Sequence, residues 1–137
     1  MKQKNLKQIP VLQPSIGQEE IDAVAEVMRS GWLGLGPKTE QFEKAFATSV
    51  NSRFAVALNS GTAALHLALD SLNLREGDEV IVPPITFIST IHAVSYVGAT
   101  PVFADVEPDT MNLSAADVER KITDKTKAII VVHLAGH

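Results

Sequence analysis

From residue 53 onward, the sequence alternates short apolar runs with longer segments of helical periodicity. The apolar runs occupy residues 54–58, 79–82, 100–106 and 128–132, and the periodic segments occupy residues 62–72, 87–97 and 114–122. Runs that are apolar at consecutive positions are typical of strands buried on both faces, and helices between such strands form the crossovers of a parallel sheet. The pattern therefore predicts an α/β fold, with a mostly parallel sheet and flanking helices.

Two helices are predicted before the first strand. Residues 17–30 place apolar side chains three and four positions apart, and a second helix is predicted from about Thr39, after a glycine-rich loop. We therefore divide the chain into an N-terminal arm with helices, residues 1–52, and an α/β part, residues 53–137.

Two helix ends carry recognisable boundary signals. Gly31 follows the first predicted helix and is placed to end it in a left-handed conformation. Ser114 precedes the last predicted helix, and Asp117 stands three residues later, which is the spacing of a capping box.

Composition narrows the class of protein. The chain has 137 residues, of which 45% are apolar and 20% charged, as in ordinary globular proteins. It has 12 basic and 16 acidic residues, and the basic ones are scattered, which argues against a nucleic-acid partner. Cysteine is absent, which excludes disulfides and thiolate chemistry. No apolar run follows the basic residues 1–7, so no signal peptide is predicted and we expect a cytoplasmic protein.

One uncharged stretch between Glu79 and Asp105 is long enough to cross a bilayer. Prolines, a glycine and several hydroxyls interrupt it, and these would break a membrane helix or bring polar groups into lipid. The stretch is better explained as a strand, a helix and another strand, so no membrane partner is expected.

Polar residues follow the predicted strands at their carboxyl ends, where ligands bind in open α/β sheets. At the first such corner, Gly61 and Thr62 begin a helix, where free N–H groups and the positive end of the dipole can hold an anion. The same residues also fit an ordinary helix cap. The corner lacks the Gly-Lys-Ser/Thr of a Walker A loop and the spaced glycines of a dinucleotide site.

One aromatic residue and four histidines are further candidates for site residues. Phe87 follows the second predicted strand and two prolines, so it is placed to offer a flat face to a planar ligand or to pack in the core of the next helix. His66 and His92 fall inside predicted helices and are interpreted as packed histidines. His133 and His137 lie on a strand end and a loop, where the helical spacing of metal ligands does not apply, so no metal is expected.

A series of motifs resembles, in order and spacing, the N-terminal portion of the DegT/DnrJ/EryC1/StrS family of sugar aminotransferases that use pyridoxal 5′-phosphate (PLP). The motifs are Ile9-Pro10 and Pro14, Ser30-Gly31-Trp32 through Gly36-Pro37 with Phe42-Glu43, Asn59-Ser60-Gly61-Thr62-Ala63-Ala64-Leu65, Gly77-Asp78-Glu79-Val80-Ile81, Pro84 with Thr86-Phe87, Gly98-Ala99-Thr100-Pro101-Val102-Phe103, Asp105, and Val132-His133-Leu134 through Gly136. Each motif is weak by itself, and the series is specific.

The resemblance implies a fold-type I aminotransferase, of which residues 53–137 would be the first half of the PLP-binding large domain. It implies that Gly61, Thr62 and Ala63 contact the cofactor phosphate and that Phe87 stacks on the pyridine ring. It also implies a homodimer, because the glycine loop helps to shape the substrate pocket of the neighbouring subunit in relatives. The reaction implied is transfer of an amino group from glutamate or glutamine to a keto group on a nucleotide-linked sugar.

The resemblance assigns no catalytic residue to this chain. The carboxylate for the pyridine nitrogen is expected shortly beyond the position of His137, the cofactor lysine later still, and none of the chain's lysines matches that position. We therefore expect an N-terminal fragment that is inactive by itself. Two alternatives remain: a stand-alone module that binds a phosphorylated ligand without chemistry, and a fragment of a PLP-dependent sugar dehydratase in which histidine replaces the lysine.

Overall fold

A computed structural model describes Pro10 and residues 13–137. The chain divides into two compact units, Met1–Ala57 and Leu58–His137. The motif at Ile9 lies outside the described residues. Among those that are described, no helix combines the length and the apolar character needed to cross a bilayer.

The first unit contains two helices, α1 (Gln18–Ser30) and α2 (Pro37–Ser49). Gly31 ends α1 with φ 77° and donates its N–H to the carbonyl of Met28, which confirms the predicted left-handed stop. The second helix begins two residues earlier than predicted because Pro37 occupies its first position, where a missing N–H costs nothing.

The predicted strand at residues 54–58 is wrong. No described residue pairs with it, and its backbone is held instead by side chains, the Ala57 N–H by Glu43 Oε1 at 2.7 Å and the Phe54 carbonyl by Ser52 Oγ at 2.8 Å. A strand exists only with a hydrogen-bonded neighbour, and an apolar run cannot reveal whether it has one. The large side chains still alternate outward, with Phe54 74% and Val56 77% exposed.

The second unit contains the parallel sheet and its helices. In chain order the elements are α3 (Gly61–Asp70), β1 (Glu79–Val82), α4 (Ser89–Tyr96), β2 (Thr100–Phe103), α5 (Ala115–Lys121), β3 (Thr126–Ile129) and a 3₁₀ turn (Leu134–Gly136). The sheet has the order β2-β1-β3, and both pairs are parallel. The predicted α/β class is confirmed, with shorter strands than the apolar runs suggested.

Two prolines explain why the ladders stop early. The last bonds run from Ala104 N–H to the carbonyl of Val82, at 3.1 Å, and from Ile130 N–H to that of Ile81, at 2.9 Å. In a parallel ladder the next donors on β1 would be residues 83 and 84, which are prolines without an N–H. The apolar runs therefore continue past the points where strand pairing ends.

The core of this unit lies between β1 and two helices. Val80 and Val82 pack with Leu69 of α3 and with Ala93 and Val94 of α4. Ile81, which points to the opposite face of the sheet, is also fully buried. The central strand is thus buried on both faces, as its continuous apolar sequence predicts. This packing fixes the start of α3 and the loop between β1 and α4.

Candidate cofactor site

The first turn of α3 forms a set of hydrogen-bond donors. Ser60 caps the helix: its Oγ accepts the Ala63 N–H and its carbonyl accepts the Ala64 N–H, both at 3.1 Å. No acceptor within the described chain takes the N–H of Gly61 or of Thr62. Two adjacent backbone donors therefore remain available at the positive end of the helix.

The surroundings of these donors favour an anion. The first turn of α3 contains no acidic residue, so no side chain offsets the helix dipole there. A Cβ at Gly61 would meet no other atom of the described chain within 4 Å, so no neighbouring group covers this corner. The hydroxyl of the half-buried Thr62 makes no hydrogen bond within the described chain and adds a third group.

Of the three residues expected to contact a phosphate, Ala63 differs from the other two because its N–H already has an acceptor. This N–H donates to Ser60 Oγ at 3.1 Å, so this donor belongs to the helix cap. The interpretation of this corner as a helix cap is confirmed for Ser60, and its interpretation as a phosphate site stays a prediction. The cap uses Ala63, and the free donors are those of Gly61 and Thr62.

Phe87 lies in the loop between β1 and α4, two residues before the helix begins. Its side chain is 75% exposed, so the alternative that it is a core residue of that helix is wrong. Pro83, by contrast, is fully buried and anchors the base of the loop. Phe87 lies just before α4, and α4 packs against α3. The Gly61 and Thr62 donors lie in the first turn of α3.

Asp117 holds the turn after β2 and does not form the predicted capping box. Its carboxylate is buried and accepts the Asp105 N–H at 2.6 Å and the Arg120 guanidinium at 2.7 Å. The Asp105 N–H, followed by Arg120, lowers the pKa of Asp117 below its usual value. With the carboxylate engaged there, Ser114 makes no side-chain cap.

Asn112 is a structural residue that sequence reasoning missed. Its Oδ1 accepts the Leu134 N–H at 2.9 Å and so ties the turn before α5 to the segment after β3. In that segment His133 Nδ1 lies 2.8 Å from the His137 carbonyl oxygen. The link joins residues 22 positions apart, and no local pattern marks it.

The two histidines in helices, His66 and His92, both contact Tyr96. The ring of His66 lies 5.2 Å from that of Tyr96, and the ring of His92 lies 6.0 Å from it. These are aromatic contacts between α3 and α4 and within α4. His66 is half-buried, whereas His92 is exposed.

The loop between α1 and α2 is shaped by one glycine. The Trp32 ring lies over Gly36, where an added Cβ would come 3.1 Å from a ring carbon. The loop's large side chains point outward, with Trp32 61%, Leu33 74% and Leu35 79% exposed. This loop therefore presents an apolar surface.

Comparison with known proteins decides the family. The model of the DegT/DnrJ/EryC1/StrS aminotransferase family matches residues 14–137. The chain belongs to this family. The spore coat polysaccharide biosynthesis protein SpsC of Bacillus subtilis (strain 168) is 48% identical over 136 residues, which are 99% of this chain and 35% of SpsC. GDP-perosamine synthase of Escherichia coli O157:H7 is 47% identical over 133 residues, 96% of this chain and 36% of that enzyme.

Solved structures of similar proteins have the same fold over the matched residues. Spr1654 from Streptococcus pneumoniae, provisionally described as a sugar aminotransferase, matches in its PLP form with a TM-score of 0.87 and 44% identity, over 93% of this chain and 33% of that one. GDP-4-keto-6-deoxy-D-mannose-3-dehydratase of E. coli, with bound hydrated PLP, matches with a TM-score of 0.84 and 28% identity, over 90% of this chain and 33% of that one. The chain thus spans about a third of the length of its relatives.

Proposed function

We propose that this chain supplies the phosphate site and the ring platform of a PLP-dependent aminotransferase acting on a nucleotide-linked keto sugar. The observation that carries the proposal is the pair of unused N–H groups at Gly61 and Thr62, in a chain of this aminotransferase family. The names of two relatives, a GDP-perosamine synthase and a sugar aminotransferase in its PLP form, support the substrate class and the cofactor.

The donor set suits a phosphate dianion. Two adjacent N–H groups, one hydroxyl and an unopposed helix dipole match what phosphate accepts at a helix start. Phe87, with 75% of its side chain exposed, offers a face to a planar pyridine ring. These residues therefore fit PLP, with Gly61 and Thr62 holding the phosphate and Phe87 lying against the ring.

When bound, PLP supplies an electron sink for the transfer of the amino group. The residues of this chain position the reaction and do not carry out its proton transfers. Gly61 and Thr62 fix one end of the cofactor, and Phe87 restricts rotation of the ring and keeps water from one face. Orientation of this kind removes much of the entropic cost of a reaction between two bound groups.

The remaining parts of the proposal concern partners and location. We propose glutamate or glutamine as the amino donor and a homodimer in the cytoplasm as the working form. The exposed Trp32, Leu33 and Leu35 support a role for their loop at a subunit interface, where it would shape the partner's substrate pocket. A sugar dehydratase is the weaker alternative, because that relative is 28% identical, whereas GDP-perosamine synthase is 47% identical and Spr1654 is 44% identical.

The phosphate site is tested by titrating the ¹⁵N-labelled chain with pyridoxamine 5′-phosphate and with pyridoxamine. We expect the amide signals of Gly61 and Thr62 to shift with the first ligand and not with the second. Thr62→Val, which keeps the shape and removes the hydroxyl, should weaken binding about 10- to 150-fold, as loss of one hydrogen bond to a charged phosphate does. Thr48→Val is the matched control, since Thr48 is exposed and its hydroxyl donates to the Lys44 carbonyl at 2.9 Å, away from the candidate site.

Three results would contradict this proposal. Equal shifts with both ligands would show that the phosphate group is not what binds at Gly61 and Thr62. Borohydride treatment of the chain with PLP that fixed the cofactor on one specific lysine would show that the reactive lysine lies within these residues. Tight binding of many phosphorylated compounds, without preference for the pyridine ring, would favour the stand-alone binding module.

A further inference from the structure

The core face of α4 carries two buried hydroxyl residues, Ser89 and Thr90, beside apolar ones, and Thr90 is the more deeply buried of the two. Thr90 is 3% exposed, and Ala93 and Val94, three and four residues later on the same face, are fully buried. A buried hydroxyl without a hydrogen bond is costly, and an apolar residue of this shape would avoid that cost. The hydroxyl of Thr90 therefore calls for an explanation.

The partner of this hydroxyl lies in the loop that carries Phe87. Thr90 Oγ1 is 2.7 Å from Thr86 Oγ1, a short distance for two hydroxyls. The backbone N–H of Thr90 also donates to the Phe87 carbonyl at 3.0 Å. Thr90 thus contacts the loop at two consecutive residues, once through its side chain and once through its backbone.

Among the described residues, no side chain caps the start of α4. Its N-cap residue is Ile88, whose side chain cannot accept a hydrogen bond, and no side-chain cap bond is formed. Ile88 is itself 54% exposed and Phe87 75% exposed, so neither side chain is held by packing in the core. The hydroxyl pair is the side-chain hydrogen bond that joins this described loop to the helix below it.

We propose that Thr90 is a positioning residue for the ring platform, acting through Thr86. The pair fixes the backbone on the N-terminal side of Phe87, and the Thr90 N–H fixes it on the C-terminal side, so that the exposed ring keeps one orientation. The inference rests on the proposed function, in which Phe87 lies against the cofactor ring. Without the hydroxyl pair, the loop holds Phe87 in its binding orientation in only a fraction of the molecules. The apparent affinity for the cofactor then falls in proportion to that fraction.

The test compares two ligands. Pyridoxamine 5′-phosphate uses both the phosphate site and the ring platform, whereas inorganic phosphate uses only the first. The full chain and its Thr90→Val variant are titrated with each. We expect Thr90→Val to lower affinity for pyridoxamine 5′-phosphate about 2- to 12-fold, the range for one neutral hydrogen bond, and to leave affinity for phosphate unchanged.

Two further variants separate positioning from stability. Thr90→Ser keeps the hydroxyl. Its ratio of affinities for pyridoxamine 5′-phosphate and inorganic phosphate should therefore equal that of the parent chain. Ser95→Ala removes a hydroxyl that bonds the Ile91 carbonyl on the exposed side of α4, and should change neither affinity. If Thr90→Val fails to fold, Thr86→Val breaks the same bond from the loop side and takes its place.

Phe87→Ala distinguishes failure of this inference from failure of the proposed function. If Phe87→Ala lowers the affinity ratio and Thr90→Val does not, the positioning role is overturned. If Thr90→Val weakens both ligands equally, its role is one of general stability and the proposal is again overturned. If Phe87→Ala leaves the ratio unchanged, the ring platform itself is wrong, and the inference falls with it.

Discussion

Replacing Gly61 by proline deletes one proposed phosphate donor at a position where helix geometry tolerates proline. Gly61 is the first residue of α3, and the first intrahelical bond is donated by Ala64, so the Gly61 N–H has no role within the helix. A Cβ added there meets open space, and Ser60 has φ −163° and ψ 156°, the extended conformation that a following proline prefers.

Stability and binding should therefore change in opposite directions. Fixing φ at a compatible glycine raises the free energy of unfolding by about 0.4–1 kcal/mol, because the unfolded chain loses freedom. Loss of one hydrogen bond to a charged phosphate costs about 1.5–3 kcal/mol of binding, which raises the Kd about 10- to 150-fold. A variant that folds better and binds worse is hard to explain by damage to the structure.

Isothermal titration with pyridoxamine 5′-phosphate measures binding, and urea unfolding measures stability. Gly61→Ala is the matched control, since it keeps the N–H and places a methyl group in open space, and we expect its Kd to stay within about 3-fold of the parent chain. A Gly61→Pro chain of unchanged Kd and normal stability would refute the assignment of this N–H as a phosphate donor.

Two further predictions concern the stability of the second unit. Because the Asp105 N–H lowers the pKa of Asp117, the carboxylate stabilises the fold above its usual pKa and this stabilisation is lost as the pH falls through the lowered value. Urea unfolding between about pH 5 and pH 2 should therefore show a smaller loss of stability for Asp117→Asn than for the parent chain, while the exposed control Asp109→Asn follows the parent. Val94→Ala should cost about 2–3 kcal/mol in urea unfolding, because Val94 is fully buried, and a similar loss for the 55% exposed control Val131→Ala would contradict this reasoning.

Local patterns were sufficient for the elements of the second unit. The spacing of apolar residues predicted α3, α4 and α5, and the continuous apolar run at 79–82 matches β1 residue for residue. Strand ends were less accurate, since the runs at 100–106 and 128–132 extend past the paired residues. Hydrophobicity reports burial, whereas a strand end depends on which donors the neighbouring strand still has.

Features that depend on distant residues were not predictable. Whether residues 54–58 pair with another strand is decided by a partner that the run itself does not specify. Asp117 has the spacing of a capping box, yet its carboxylate accepts the backbone N–H of Asp105, twelve positions away. In the candidate site the chemistry of Gly61 and Thr62 was visible in the sequence, because a helix start always leaves N–H groups unused.

The consecutive prolines after β1 connect the sheet to the candidate site. Each lacks the N–H that would continue one of the two ladders, so the chain leaves the sheet at Val82 although its neighbours remain apolar. Pro83 is buried and anchors the departing chain, and Thr90 holds it again where α4 begins. The loop between these two anchors carries an exposed Phe87. The backbone is thus restrained on both sides of Phe87, by the end of the ladder at the prolines on one side and by the hydrogen-bonded hydroxyls of Thr86 and Thr90 on the other.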